Sequence, residues 1–274
     1  MSFLRRTATK RILTFLIGLA VWLGTRALAF PAMARIFQIW NLNADTYAYA
    51  PAWARFVADR SGEIIDIFAL AVAVVVLIVL TRPKGAHVRV LSAALLAGAA
   101  AAALPLAILL FAGSARFPAN YALYAPAAAV ILVREALFCA FSALLIRQTV
   151  VGALADRHIA ACAVSAVLQA ALFIFELGKI DVTLLINGLL IGAAFSDLFL
   201  KTRSPFPEAA FAFAFRAISR VAFGYPNLGG AYVVSEEWLA GFSVGSLEGA
   251  GLITVLAAFL YAAGFAGKRK SRKR

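Results

Sequence analysis

An all-α, polytopic transmembrane bundle of about eight helices is what this sequence predicts, on three observations. Hydrophobic residues fill 64% of its 274 positions and charged residues only 14%, against roughly half and about a quarter in a soluble domain. The apolar residues gather into runs that reach or approach the roughly 20 residues needed to cross a bilayer. The basic residues fall between those runs and favour one side.

The first run, 12–30, follows Arg5, Arg6, Lys10 and Arg11. A basic start, an apolar stretch and the Ala-Leu-Ala at 27–29 also describe a cleavable secretory signal. The run is long enough to span, and Arg26 stands beside the would-be cleavage site, so an uncleaved first helix is expected. Residues 31–62 mix Trp40, Tyr47, Tyr49, Trp53 and Phe56 with Asn, Asp and Arg. That mixture predicts an interfacial helix and loop, in preference to a binding loop.

Further spans are predicted at 64–81, 88–113, 121–146, 159–177, 183–200, 207–223 and 247–266. Pro105 and Pro126 fall inside two of them, which membrane helices tolerate. Small residues at 97–103 and the Gly188-x-x-x-Gly192 pair permit close approach of neighbouring helices. With no polar linker, residues 1–274 form a single membrane domain ending in a basic tail at 267–274.

Orientation follows from the positive-inside rule. With an even count and a cytoplasmic start, the cytoplasmic segments hold the four leading cations, then Arg82, Lys84, Arg89, Arg147, Arg157, Lys201, Arg203 and the tail. The opposite loops hold Arg35, Arg55, Arg60, Arg116 and Lys179. The expectation is a multi-pass protein of the cell membrane with both termini cytoplasmic. The net charge of +13 is then a topology signal. No basic-aromatic module accompanies it, which argues against nucleic acid as a partner. The partner implied by composition is the lipid bilayer, with the tail available to anionic headgroups.

Cys139 and Cys162 sit in apolar runs and form no framework for a disulfide or a thiolate site. The two histidines, His87 and His158, fall in cytoplasmic loops, and no zinc, nucleotide or serine-hydrolase motif occurs. Neither a metal nor a cofactor is expected.

The informative residues are charges inside apolar runs, because such groups are costly there and pair within the bundle. Asp66 and Asp197 lie near run ends, where interfacial water is within reach. Arg134, Glu135, Glu176 and Arg216 lie deeper, and Ala212, Arg216 and Arg220 share one helix face at four-residue spacing. Arg134 and Glu135 are neighbours in sequence and are expected to need different partners. An internal network is predicted, pairing Glu135 with Arg216 and Glu176 with Arg134.

From about 120 to 260, the sequence resembles the CAAX protease and bacteriocin-processing (Abi) family of intramembrane proteases. That family carries E-E-x-x-x-R on one helix, F-x-x-x-H on the next and H-x-x-x-N on a later one. In the present chain Arg134-Glu135-Ala-Leu-Phe-Cys139 stands where the first motif would be, followed by Leu144-Leu-Ile-Arg147. Leu172-Phe-Ile-Phe-Glu176 stands at the second, and Ala212-Phe-Ala-Phe-Arg216 at the third. The Gly-rich stretch 239–248 is similar to the approach to the last helix in longer members.

The resemblance implies an intramembrane peptidase scaffold, with glutamates and histidines activating water on prenylated substrates. The departures fall on that chemistry. The first glutamate is replaced by Arg134, the motif arginine by Cys139, the histidines by Glu176 and Ala212, and the asparagine by Arg216. Glu135 alone stays in register, and a general base needs a carboxylate or imidazole within reach of the water.

The favoured reading is therefore a catalytically degenerate, non-enzymatic member that binds a membrane protein, a lipidated peptide or a lipid partner. The alternative is an active glutamic-type endopeptidase in which Glu135 and Glu176 divide acid and base roles. Arg134 and Arg216 disfavour that division, since nearby cations favour keeping both carboxylates ionised. A membrane transporter ranks third, because no inverted repeat or paired helix break is evident.

Overall fold

The computed structural model describes residues 2–43, 45–111, 125–177 and 182–223. Every regular element among them is helical. The order is α1 (Ser2–Ile39), a 3₁₀ turn (Tyr47–Tyr49), α2 (Ala52–Asp59), α3 (Ser61–Thr81) and α4 (Val88–Phe111). There follow α5 (Ala125–Ser142), which runs on as a π-helical segment (Ala143–Val151), then α6 (His158–Leu177), α7 (Val182–Thr202) and α8 (Phe206–Phe223). The last expected run, the Gly-rich stretch before it, the basic tail, Arg116 and Lys179 lie outside the described residues.

Among the described residues, Thr9–Ile39, Ser61–Thr81, Pro126–Val151 and His158–Glu176 are long and apolar enough to cross a membrane, and Val88–Leu104 is a shorter apolar helix. Their surfaces invert the pattern of a soluble protein. Leu13, Phe68, Val75, Val79, Val167 and Phe175 face outward, while Glu135 and Arg147 are fully buried. Large outward apolar side chains suit a hydrocarbon solvent, and buried charges suit an interior that supplies partners.

Two boundaries differ from the sequence expectation. Helix α1 does not end near 30: it continues through Pro31 to Ile39, so the expected interfacial stretch begins as helix. The α5 helix also continues past 146 to Val151, and the added π-helical turns carry Arg147 into the interior. Arg147 is thus not the cytoplasmic loop residue expected from charge counting.

The helices pack in pairs, α1 on α3, α3 on α5, α5 on α8, α4 on α8 and α6 on α7. The α6–α7 contact depends on missing side chains. A Cβ at Gly188 would lie 2.5 Å from the Ala170 Cα, and one at Gly192 would lie 2.6 Å from the Ala166 Cα. Gly98 plays the same part between α4 and α8, where a Cβ would stand 2.2 Å from the Phe211 carbonyl oxygen. A core of Trp22, Leu70, Leu77, Phe138, Phe141, Phe195, Phe211 and Phe215 fills the centre. In lipid such contacts stabilise through dispersion and close fit, since acyl chains are as apolar as leucine.

Exposed cations mark the ends of α3 and α7. Helix α3 stops at Arg82, whose backbone is left-handed (φ 46°) and whose N–H donates to the Ile78 carbonyl at 2.9 Å. Arg203, also left-handed (φ 58°), ends α7 in the same way with its N–H on the Phe199 carbonyl at 2.7 Å.

Candidate functional site

Among the described residues, two polar clusters are buried in the bundle. The first joins α1, α3, α5, α6 and α8. Arg134 on α5 donates from one nitrogen to Glu135 at 2.9 Å and to Glu176 at 3.2 Å, and its Nε donates to Asp66 at 3.1 Å. Arg26 closes the outer end, its Nε 3.1 Å from Asp66. From α8, Arg216 donates to the second oxygen of Glu135 and also to Glu176, and its guanidinium lies over the Phe138 ring at 4.7 Å. Three carboxylates thus face three guanidinium groups, and formal charge balances.

Helical spacing explains the convergence. On α6, Ser165, Gln169 and Glu176 recur at intervals of four and seven, one face of the helix. An ion buried without partners costs several kcal/mol, so the arginines and carboxylates are mutual requirements. Both expected pairs, Glu135 with Arg216 and Glu176 with Arg134, are present. Two expectations are corrected. Arg134 and Glu135 do bond to each other, because the long arginine side chain folds back beside the neighbouring carboxylate. Asp66 is not at interfacial water but buried in the network.

The second cluster was not foreseen. Arg147, at 0% exposure, donates to Ser165 at 2.7 Å and to Gln169 at 2.9 Å. Its Nε stands 3.1 Å from Glu208 Oε2. The N–H is not aimed along that line, so the contact is Coulombic and both atoms lack an aligned hydrogen bond. Ser142 also donates to Gln169, at 3.2 Å, and the Arg147 guanidinium lies 5.9 Å from the Phe195 ring centre.

A cavity of about 30 Å³ lies between the clusters, lined by Cys139, Ser142, Gln169, Glu208, Ala212 and Arg216 beneath a cover of phenylalanines. That is room for about one water molecule. Neither Glu135 nor Glu176 lines it. Of the residues at motif positions, Cys139 and Ala212 border this cavity, Arg134, Glu135, Glu176 and Arg216 form the ion-pair network, and the Arg220 side chain lies outside the described residues. Asp197, expected near interfacial water, pairs with Lys201 and stands 3.3 Å from the exposed His158 ring. Among the described residues, no cluster of three or more histidine, cysteine or acidic side chains is arranged to hold a metal.

The first network crosslinks the bundle and holds two carboxylates against guanidinium groups. A general base must instead present a lone pair to a water beside the substrate. Both oxygens of Glu135 are occupied by arginines. No family model, no curated protein and no solved structure matches this chain.

Proposed function

We propose that the chain is a multi-pass membrane protein of about eight spans with both termini cytoplasmic, built on a scaffold like that of the CAAX protease and bacteriocin-processing family. In this reading it is catalytically degenerate and acts by binding a membrane protein, a lipidated peptide or a lipid within the bilayer. The topology rests on the apolar runs and the one-sided cations. The loss of catalysis rests on a single observation, the clamping of Glu135 by Arg134 on one oxygen and Arg216 on the other.

Replacing a histidine by Glu176 and an asparagine by Arg216 adds one negative and one positive charge to the same interior. Those two side chains pair with each other in the bundle. Coupled changes of this kind keep the scaffold folded while removing the groups that would activate water. Full charge neutralisation also leaves no unpaired carboxylate to divide acid and base roles with its neighbour.

The experiment is a turnover assay. Purified protein in lipid nanodiscs is incubated with a prenylated membrane peptide and its unprenylated counterpart, with mass spectrometry of the products. The expected result is no cleavage of either. Cleavage that disappears in Glu135→Gln would overturn the proposal and assign hydrolysis to the same scaffold.

A further inference from the structure

The second cluster leaves polar capacity unused, and leaves it in one place. Gln169 accepts through Oε1 from Arg147 at 2.9 Å and from Ser142 at 3.2 Å. Those two donors fix the orientation of the amide, because the flipped form would set an NH2 group against a guanidinium. The amide nitrogen then carries two N–H groups, and among the described residues neither has a protein partner. Glu208 turns Oε2 toward Arg147 Nε, 3.1 Å away and off the N–H line. Its other oxygen, Oε1, accepts no hydrogen bond among the described residues.

The two side chains are neighbours. Both heads rest on one guanidinium, Gln169 against a terminal nitrogen of Arg147 and Glu208 against Nε, and those nitrogens are bonded to the same carbon. Gln169 and Glu208 are each only 2% exposed. Both line the cavity of about 30 Å³, together with Ser142 and Arg216. A buried donor or acceptor without a partner is costly, and the cost is greatest where no bulk water reaches.

Volume, charge and hydrogen-bond polarity select the occupant. The space suits about one water molecule. Arg147 offsets Glu208, and Arg216 belongs to a network whose charges already balance, so the occupant is neutral. It must accept from an amide N–H and donate to a carboxylate oxygen, and water does both through one atom. We propose that the cavity is a binding site for one ordered water, which accepts from Gln169 Nε2 and donates to Glu208 Oε1. The water joins α6 to α8 beside Arg147 and completes the second cluster. It is tied to Glu208 and not to Glu135, which does not line the cavity.

Two measurements on the full chain in lipid nanodiscs test this. Synchrotron X-ray radiolysis makes hydroxyl radicals from water in place, so a side chain beside an ordered internal water is oxidised where bulk solvent does not reach. Phe138 and Phe173 line the cavity, whereas Phe141 and Phe211, also buried, are not among its lining residues. The first pair is expected to be oxidised severalfold faster than the second. That excess should disappear in Ala212→Val, whose added methyls take the space.

The second measurement compares Ala212→Thr with Ala212→Val. The two variants have the same shape, so crowding acts equally on both, and only threonine brings a hydroxyl to replace the water. Ala212→Thr is expected to melt about 2–10 °C above Ala212→Val, the loss that follows from leaving buried polar groups unsatisfied. Equal oxidation of the two phenylalanine pairs in the parent protein would overturn the proposal. So would a valine variant as stable as the threonine one, the behaviour of a dry cavity.

Discussion

Arg216 and Glu135, eighty-one positions apart in sequence, are joined by a buried hydrogen bond that ties α8 to α5 at the centre of the bundle. Because Arg216 also reaches Glu176, and Arg134 reaches both carboxylates, each arginine supports a carboxylate that the other also holds. The consequences can be read in stability, packing and topology.

Close helix approach at Gly192 predicts a steric response. Gly192→Leu should lower stability by about 1–3 kcal/mol through overpacking against Ala166 and Gln169. Gly62→Ala serves as the control, since nothing lies within 4 Å of its added Cβ. It should be neutral or gain up to about 1 kcal/mol from helix propensity. Thermal unfolding in detergent distinguishes them, and equal losses at both sites would contradict the packing described for α6 and α7.

At Arg147 the prediction concerns shape. A lysine keeps the charge but cannot reach Ser165, Gln169 and Glu208 with one ammonium. Arg147→Lys should therefore cost about 1–3 kcal/mol, the range for leaving buried polar groups unsatisfied. A variant as stable as the parent in chemical denaturation would show that the fan of contacts contributes nothing beyond charge.

Topology gives a third expectation. Reporter fusions ending after Lys84 and after Arg203 should report the cytoplasm, and one ending after Thr46 should report the opposite side. Identical signals at all three points would remove the proposed orientation.

The sequence made the membrane helices and the first network legible for the same reason. Long apolar runs declare the solvent, and a charge such as Glu135 or Arg216 inside one must find a partner there. Asp66 was misplaced because its position near the start of a helix resembles a water-facing end, and only the fold brings Arg26 and Arg134 to it. The continuation of α1 to Ile39 was hidden by Pro31 and the polar, aromatic residues after it.

Arg147 and Glu208 were missed for a different reason. Both sit beside polar turns, and the π-helical segment extends α5 past the end expected from its apolar run. The available signal was on α6, where Ser165 and Gln169 stand four apart in an otherwise apolar run and mark an inward polar face.

The central claim, that Glu135 is an ion-pair partner and not a catalytic base, is tested most directly by a double-mutant cycle with Arg216. Glu135→Leu and Arg216→Met should each destabilise the protein by about 3–5 kcal/mol, because each leaves a buried charge short of its partner. The double variant removes one charge of each sign and leaves Arg134 with Asp66 and Glu176. It should recover about 1–3 kcal/mol of the summed loss, as residues in contact do. Losses that add to within about 0.5 kcal/mol, the behaviour of independent sites, would contradict the account.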